Sequence, residues 1–209
     1  MGKVISLWKS FVSTSAKTST FNGEARVRQL IYGGGMALLT IAIFTSAAYF
    51  LLLYVNELST IIYVIVGALL LKSTFSFKEL RKIALDIKAL LNDDKLKEAR
   101  AKMPALVSRE TQTLGKPSLV SATIESVAEN VCDSFVAPVF YFLIFGVPGA
   151  IAYRVVNTLD AMIGYHGKYE YLGRIAARLD DILNFIPARI SGLLLVIAAR
   201  LCKKDSKNA

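Results

Sequence analysis

The run from Gln29 to Asn56 contains no charged residue. At roughly 28 residues it can cross a lipid bilayer with some tilt, which constrains the fold more than any other feature of the chain. Lys17, Arg26 and Arg28 crowd its front edge, and Val55-Asn56-Glu57 reads as a tight polar turn. The next apolar run, Leu58 to Leu71, is short for a span, but Lys72 can snorkel and extend it to Phe77. The two runs predict a transmembrane hairpin, 29–56 and 58–77. Its turn carries no cation and both flanks are rich in them, so both flanks are expected on the cytoplasmic side. Composition fits this only if charge and apolarity are segregated. Hydrophobic residues make up 54% of the chain, alongside 25 Lys and Arg, 16 Asp and Glu, and a formal charge of +9. That charge suits membrane flanks or anionic substrates. There is no basic helix interleaved with aromatics and no zinc-finger or RNP-type spacing, so nucleic-acid binding is not expected. Cys132 and Cys202, far apart and without CxxC company, read as free thiols.

Beyond Phe77 the pattern changes. Ser76-Phe77-Lys78-Glu79 has capping-box spacing, and Leu80, Ile83, Ala84, Ile87 and Leu91 recur at helical period. Asn92-Asp93-Asp94 should break that helix and cap a shorter one that Pro104 ends near Lys102. A polar loop, Ser108 to Pro117, leads to a helix over Ser118 to Asp133, so 78–133 forms a cytoplasmic amphipathic helical segment. Ser134 to Tyr153 is uncharged but holds Pro138, Gly146, Pro148 and Gly149, which predicts a kinked span or a re-entrant pair rather than a straight rod. Arg154 to Tyr165 and Arg174 to Asn184 read as polar-faced helices around a Gly-rich turn, before a last apolar run, Ile190 to Leu201. The expected fold is all-α: one membrane-embedded domain over 1–209, a polytopic helical bundle whose 134–201 part consists of broken apolar helices carrying the polar ones.

Two groups of residues could carry chemistry. Glu125, Glu129 and Asp133 are four residues apart and share one side of a helix within about 80°. Like charges at that spacing repel, and the apolar run that follows aggravates it. A divalent cation such as Mg²⁺, or nearby arginines, would relieve it; a solvated acidic face is the plainer alternative. Arg154, Asn157 and Asp160 lie on one helical stripe, and the next helix carries Arg178, Asp180, Asp181, Asn184 and Arg189. Arginine offers a planar fork for phosphate or carboxylate, although a structural Arg–Asp network at a membrane interface would look the same. Gly33-Gly34-Gly35 lies inside a span with no Gly-Lys-Ser/Thr after it, so close helix packing explains it better than phosphate binding. His166 is the sole histidine, which leaves zinc sites and His-based triads without support.

In order, Ser108-Arg109-Glu110-Thr111, Glu125-Ser126-Val127-Ala128-Glu129-Asn130 with Asp133, Ala137-Pro138, Pro148-Gly149-Ala150 and Ala152-Tyr153-Arg154 resemble the adenosylcobinamide-phosphate synthase family. Asn157-Thr158-Leu159-Asp160, Gly164-Tyr165, Ala176-Ala177-Arg178-Leu179-Asp180-Asp181 and Ile186-Pro187-Ala188-Arg189 continue the resemblance. It is strong from about Ser108 to Arg189 and weak through the leading spans. Family members usually carry an extra apolar segment ending in His-Pro at the front and an Asn- and Gly-rich tail; neither has a counterpart here. The resemblance implies a multi-pass cell-membrane enzyme of cobalamin biosynthesis with its site on the cytoplasmic side. ATP, as co-substrate with Mg²⁺, activates a propionate of adenosylcobyric acid, and the amine of aminopropanol phosphate or a related amino-alcohol attacks to form the amide. It places the matching polar residues in the site. The charge inventory then suggests Glu125, Glu129, Asp133 and Asp180 for the metal or amine, and Glu125, Glu129, Asp160 and Asp181 for catalysis. Ser108, Arg109, Thr111, Asn130, Arg154, Asn157, Arg178, Asn184 and Arg189 would contact substrate and phosphate.

Two rival classes bear weighing. A transporter would place ionisable groups inside its spans, whereas here they collect at span edges. A non-catalytic fragment or subunit of the family would keep the shape without turnover. A homo-oligomer is compatible with either.

Overall fold

The computed structural model describes residues 23–75, 77–107, 112–163 and 170–202, and among these every regular element is helical. Seven α-helices follow in order: α1 (Gly23–Leu58), α2 (Thr60–Thr74), α3 (Phe77–Asn92), α4 (Leu96–Lys102), α5 (Lys116–Val131), α6 (Ala137–Ile163) and α7 (Glu170–Leu201). A 3₁₀ turn, Met103–Ala105, follows α4, and a π turn, Cys132–Val136, joins α5 to α6. Three helical stretches are long and apolar enough to cross a membrane, Val27–Leu58, Lys116–Ile163 and Gly173–Leu201, with Thr60–Thr74 as a shorter apolar helix. The protein is a multi-pass membrane bundle.

The expected hairpin is present, with shifted bounds. A Cβ on Gly67 of α2 would stand 3.8 Å from Leu52 of α1, although an unbroken helix would separate these residues by about 22 Å. The chain turns at Ser59, in extended conformation (φ −170°, ψ 134°), and not at Val55-Asn56-Glu57; Val55 is buried, and both polar residues remain helical. α2 ends at Thr74 rather than running to Phe77. Within the glycine run, Gly34 packs against α7, where an added Cβ would meet Ile175 at 2.6 Å, whereas a Cβ on Gly35 would meet nothing within 4 Å.

α6 is two arms, not one rod. Gly146 sits at φ 67°, ψ −161°, a conformation that side-chain-bearing residues rarely adopt. The chain reverses there. Tyr141 and Tyr153 stack with ring centroids 5.3 Å apart, and Asn157 reaches Asp133 at 3.2 Å, where an unbroken helix would hold the latter pair about 36 Å apart. Gly149 allows the close return, since a Cβ there would lie 2.7 Å from the Tyr141 carbonyl oxygen. Alongside α2, Phe135 meets Phe75 just beyond the helix end, and Val147 contacts the position of Gly67 near its middle. The first arm therefore runs about 13 Å before the chain turns, and the second, longer arm packs along α1 from Leu52 toward Met36. The apolar run containing Pro138, Gly146, Pro148 and Gly149 folds back on itself and is not a straight rod.

α7 corrects the expectation of two separate segments. Arg174–Asn184 and Ile190–Leu201 belong to one helix that continues through Pro187. Proline supplies no N–H, so the carbonyl four residues earlier loses its intrahelical donor. That carbonyl belongs to Leu183, and the Tyr141 hydroxyl donates to it at 2.9 Å. The first arm thus docks onto the gap that Pro187 opens.

Two apolar cores result. Met36, Ala37, Leu52, Val155, Leu159 and Ala176 join α1, α6 and α7. Ile87, Leu91, Ala99, Met103, Leu119 and Ala122 join α3, α4 and α5. The second unit follows the expected periodicity. Asp94, at φ 55°, ends α3, with the Lys95 N–H closing onto the Leu90 carbonyl, and Pro104 falls in the turn that stops α4. No side chain of the Asn92-Asp93-Asp94 run caps α4, however; Lys95 precedes it without a side-chain bond. The capping box begins at Ser76, and the Gly-rich turn with His166 falls within 164–169; both lie outside the described residues.

Candidate functional site

The reversal at Gly146 brings the residues before and after the folded-back run to the same level, against α7. Five side chains close a ring there. The Asn157 Nδ2 donates to Asp133 Oδ2 (3.2 Å) and Asp180 Oδ1 (3.4 Å). The Asn184 Nδ2 donates to Asp180 Oδ2 (2.9 Å), and the Tyr153 hydroxyl donates to Asn184 Oδ1 (2.8 Å) while lying 3.4 Å from Asp133 Oδ1. Arg154 Nη1 donates to Asn157 Oδ1 at 3.0 Å. A guanidinium only donates, so this bond fixes which end of the Asn157 amide faces the carboxylates. Three of the four carboxylate oxygens accept an amide N–H, and the fourth, Asp133 Oδ1, lies beside the Tyr153 hydroxyl, which eases the burial of two acids together in a partly buried place.

The local sequence explains the positions. The π turn before Pro138 widens the helix at Asp133, and such turns recur where a side chain must be re-aimed. Tyr153, Asn157 and Asp160 advance along the returning arm, while Asp180 and Asn184 are one turn apart on α7. Asp180 is 9% exposed and Tyr153 1% exposed. A cleft of about 490 Å³ opens beside the ring, lined by polar Glu129, Asp133, Asp180, Asp181 and Asn184 and by apolar Phe185, Ala188, Gly192 and Leu195. Cys132, Ser191 and Ala128 also line it, and among the described residues its wall holds no Lys or Arg.

The structure divides the expected site residues. Asp133, Asn157, Asp180, Asn184 and Arg154 come together, and Glu129 and Asp181 face the same cleft. Asp160 is half-buried behind the ring, within electrostatic reach of Asp180 and Asp181. Glu125 is exposed and is not among the residues lining the cleft, so the structure does not bring the three carboxylates at four-residue spacing together there. Asn130 turns its amide inward to the Ser126 carbonyl (2.8 Å) and hydroxyl (3.3 Å), and Ser126 in turn donates to the Leu106 carbonyl at 2.6 Å. Arg178 is exposed and away from the cleft, and Arg189 folds back onto its own helix, 3.6 Å over the Phe185 ring. Ser108, Arg109 and Thr111 lie outside the described residues. Sequence reasoning missed Tyr153 as a site member. A tyrosine in an apolar run needs a partner for its hydroxyl, and Tyr153 directly precedes Arg154, a signal that was available.

Among the described residues no group of three or more His, Cys, Asp and Glu side chains is poised to enclose a metal. The four-carboxylate set Glu125, Glu129, Asp133 and Asp180 is therefore not a preformed cage. Asp133 and Asp180, sharing one amide donor, are a two-carboxylate platform. That is the number Mg²⁺ commonly takes from protein when phosphate oxygens and water complete its shell.

An all-α membrane bundle with an amide-clamped carboxylate pair at a helix reversal is the class this fold and site define. The CobD/Cbib protein family model matches residues 1–209, and the chain belongs to that family of cobalamin biosynthesis. It is 51% identical over 199 residues to "Cobalamin biosynthesis protein CobD" of Dehalococcoides mccartyi, covering 95% of this chain and 62% of that protein. It is 53% identical over 133 residues to "Probable cobalamin biosynthesis protein CobD" of Pyrococcus furiosus (63% of this chain, 45% of that one). It is also 40% identical over 213 residues to the protein of that name from Methanococcus maripaludis (100% and 67%). The chain thus spans from under half to about two-thirds of the length of these relatives. No solved structure matches it.

Proposed function

We propose that the cleft beside Asp133 and Asp180 is where adenosylcobyric acid is joined to aminopropanol phosphate, or a related amino-alcohol, giving adenosylcobinamide phosphate at the expense of ATP. The observation that carries this reading is the reversal at Gly146, which unites the two segments bearing the family-like motifs into one ring of hydrogen-bonded polar groups. The reaction forms an amide bond between a propionate and a primary amine, with ATP activating the carboxylate so that its oxygen can leave. An incoming ammonium must be held and must lose a proton before it attacks. A cleft walled by Glu129, Asp133, Asp180 and Asp181, with no cation among the described residues that line it, suits the first task, and a carboxylate of the pair is the natural acceptor for the second. Mg²⁺, held by Asp133 and Asp180, would supply charge neutralisation for the nucleotide phosphates. Arg154, anchored on Asn157, is bonded directly to the ring and would face a phosphate, a role that the exposed Arg178 and the folded-back Arg189 fit less well. The apolar wall of Phe185, Ala188, Gly192 and Leu195 would accept the less polar part of a large ligand. The site belongs on the cytoplasmic side, where ATP is, in agreement with the cationic flanks of the α1–α2 hairpin.

The test uses a full-length relative purified in detergent, carrying Asp180→Asn or Asn157→Leu at the matching positions. Amide formation should fall by on the order of a hundredfold or more, with nucleotide binding measured separately. Near-normal product formation in both variants would remove the ring from the reaction. Nucleotide binding without product in the unmodified 209-residue chain would favour a non-catalytic family member.

A further inference from the structure

We propose that the exposed face of α3 docks on the anionic headgroups of the membrane in which the bundle sits. The face is formed by Arg81, Lys82, Leu85 and Lys88, with Ala89 beside them; all are exposed, Leu85 by 52%. The opposite face, Leu80, Ile87 and Leu91, is buried in the unit's own core. A single apolar residue ringed by three cations, with no acid in the stripe, is the pattern of an interfacial helix whose lysines reach toward phosphates. Asp86 stands at the edge of the stripe and is already paired with Lys102 at 2.8 Å.

Position makes the membrane the occupant. α3 starts at Phe77, three residues beyond the last residue of the apolar helix α2, and Lys72 lies in the last turn of that helix. The α3–α5 unit is tied to the bundle at both ends. Phe75, leaving α2, and Phe135, entering α6, contact each other with ring centroids 5.6 Å apart. This neck holds the unit beside the end of the apolar helix α2. Arg81 and Lys82 lie about one helical turn from Phe77, within the short range over which a charged leaflet acts, and Lys88 joins them if the helix lies along the surface. A soluble acidic partner would have no such tether.

The test is made on the full chain with Cys202→Ser and Ala89→Cys carrying a nitroxide, in nanodiscs of phosphatidylcholine alone or with one lipid in three replaced by phosphatidylglycerol. Accessibility to lipid-soluble oxygen against a water-soluble nickel chelate reads depth. In anionic discs the label should move toward lipid, and salt at high concentration should return it to water. The triple variant R81E/K82E/K88E should lower the docked-to-free ratio by on the order of a hundredfold. Its helix content by circular dichroism confirms that the unit still folds, and the salt titration on the unmodified face stands if it does not. Equal depth in both lipid compositions, or a shift that survives charge reversal or high salt, would overturn the proposal.

Discussion

The α3–α5 unit and the membrane bundle handle charge in opposite ways. In the unit, charges stay on the surface and pair across loops: Lys102 with Asp86, Lys116 with Asp94, and Arg100 onto the Leu114 carbonyl. Helical periodicity there separates one apolar face from one polar face, and the apolar faces make the core. In the bundle α1, α2 and the first arm of α6 are apolar nearly all round, so hydrophobicity alone does not choose their partners. A few polar groups, directed inward and saturated by amides and hydroxyls, do the choosing. Periodicity specifies the first region, and hydrogen-bond satisfaction specifies the second.

If that contrast is right, the largest effect should come from the reversal. The double change Gly146→Val and Gly149→Ala combines backbone strain of about 1–3 kcal/mol with overpacking of similar size against the Tyr141 carbonyl. It should lower stability in detergent by about 4 kcal/mol and abolish crosslinking between cysteines placed at 133 and 157. Retained crosslinking would mean the arm reverses without Gly146. Next, Asn157→Leu removes the shared donor from Asp133 and Asp180 and should cost about 2–3 kcal/mol by thermal unfolding. A loss near zero would show that the ring is not what joins α6 to α7. Third, Tyr141→Phe strips the donor from the Leu183 carbonyl and should cost about 1 kcal/mol. In a Pro187→Ala background, where residue 187 regains its N–H, the same change should cost measurably less. Equal costs in the two backgrounds would sever the link between the tyrosine and the proline.

The smallest effect belongs to the α3–α5 unit. Lys102, bonded beside it, holds the Asp86 carboxyl below its ordinary value of 3.8. A carboxylate lowered in the folded state contributes stability that is present above that ordinary value and lost as pH falls through the depressed one. The contribution is therefore constant from neutrality to about pH 4. Asp86→Asn should leave the neutral melting temperature nearly unchanged and flatten only the acid limb. A large loss at neutral pH would show that this surface pair is more than a surface pair.

Legibility in the sequence follows the same division. The α1–α2 hairpin, the α3–α5 helices and the break in Ser134–Tyr153 were readable, because run length, periodicity and Pro or Gly positions carry them directly. Asp133, Asn157, Asp180 and Asn184 were readable as polar residues against an apolar background. Their mutual arrangement was not. Equal spacing grouped Glu125 with Glu129 and Asp133, since an ideal helix gives no sign of the π turn that precedes Pro138. The continuity of α7 was hidden because Pro187 ordinarily argues for a helix end, and only the distant Tyr141 hydroxyl makes it tolerable. The role of Tyr153 depends on a partner, Asn184, that lies 31 residues away.

The turn at Gly146 also alters how the chain's crossings are counted. A hydropathy tally scores Lys116–Ile163 as a span and would invert the orientation of everything after it. A segment that turns back at Gly146 returns toward the end it left and would contribute zero to that parity. The expectation is then that residues on either side of it share a compartment. Two reporter tags, one before Lys116 and one within 164–169, should give the same compartment signal, with an entire hydrophobic segment between them.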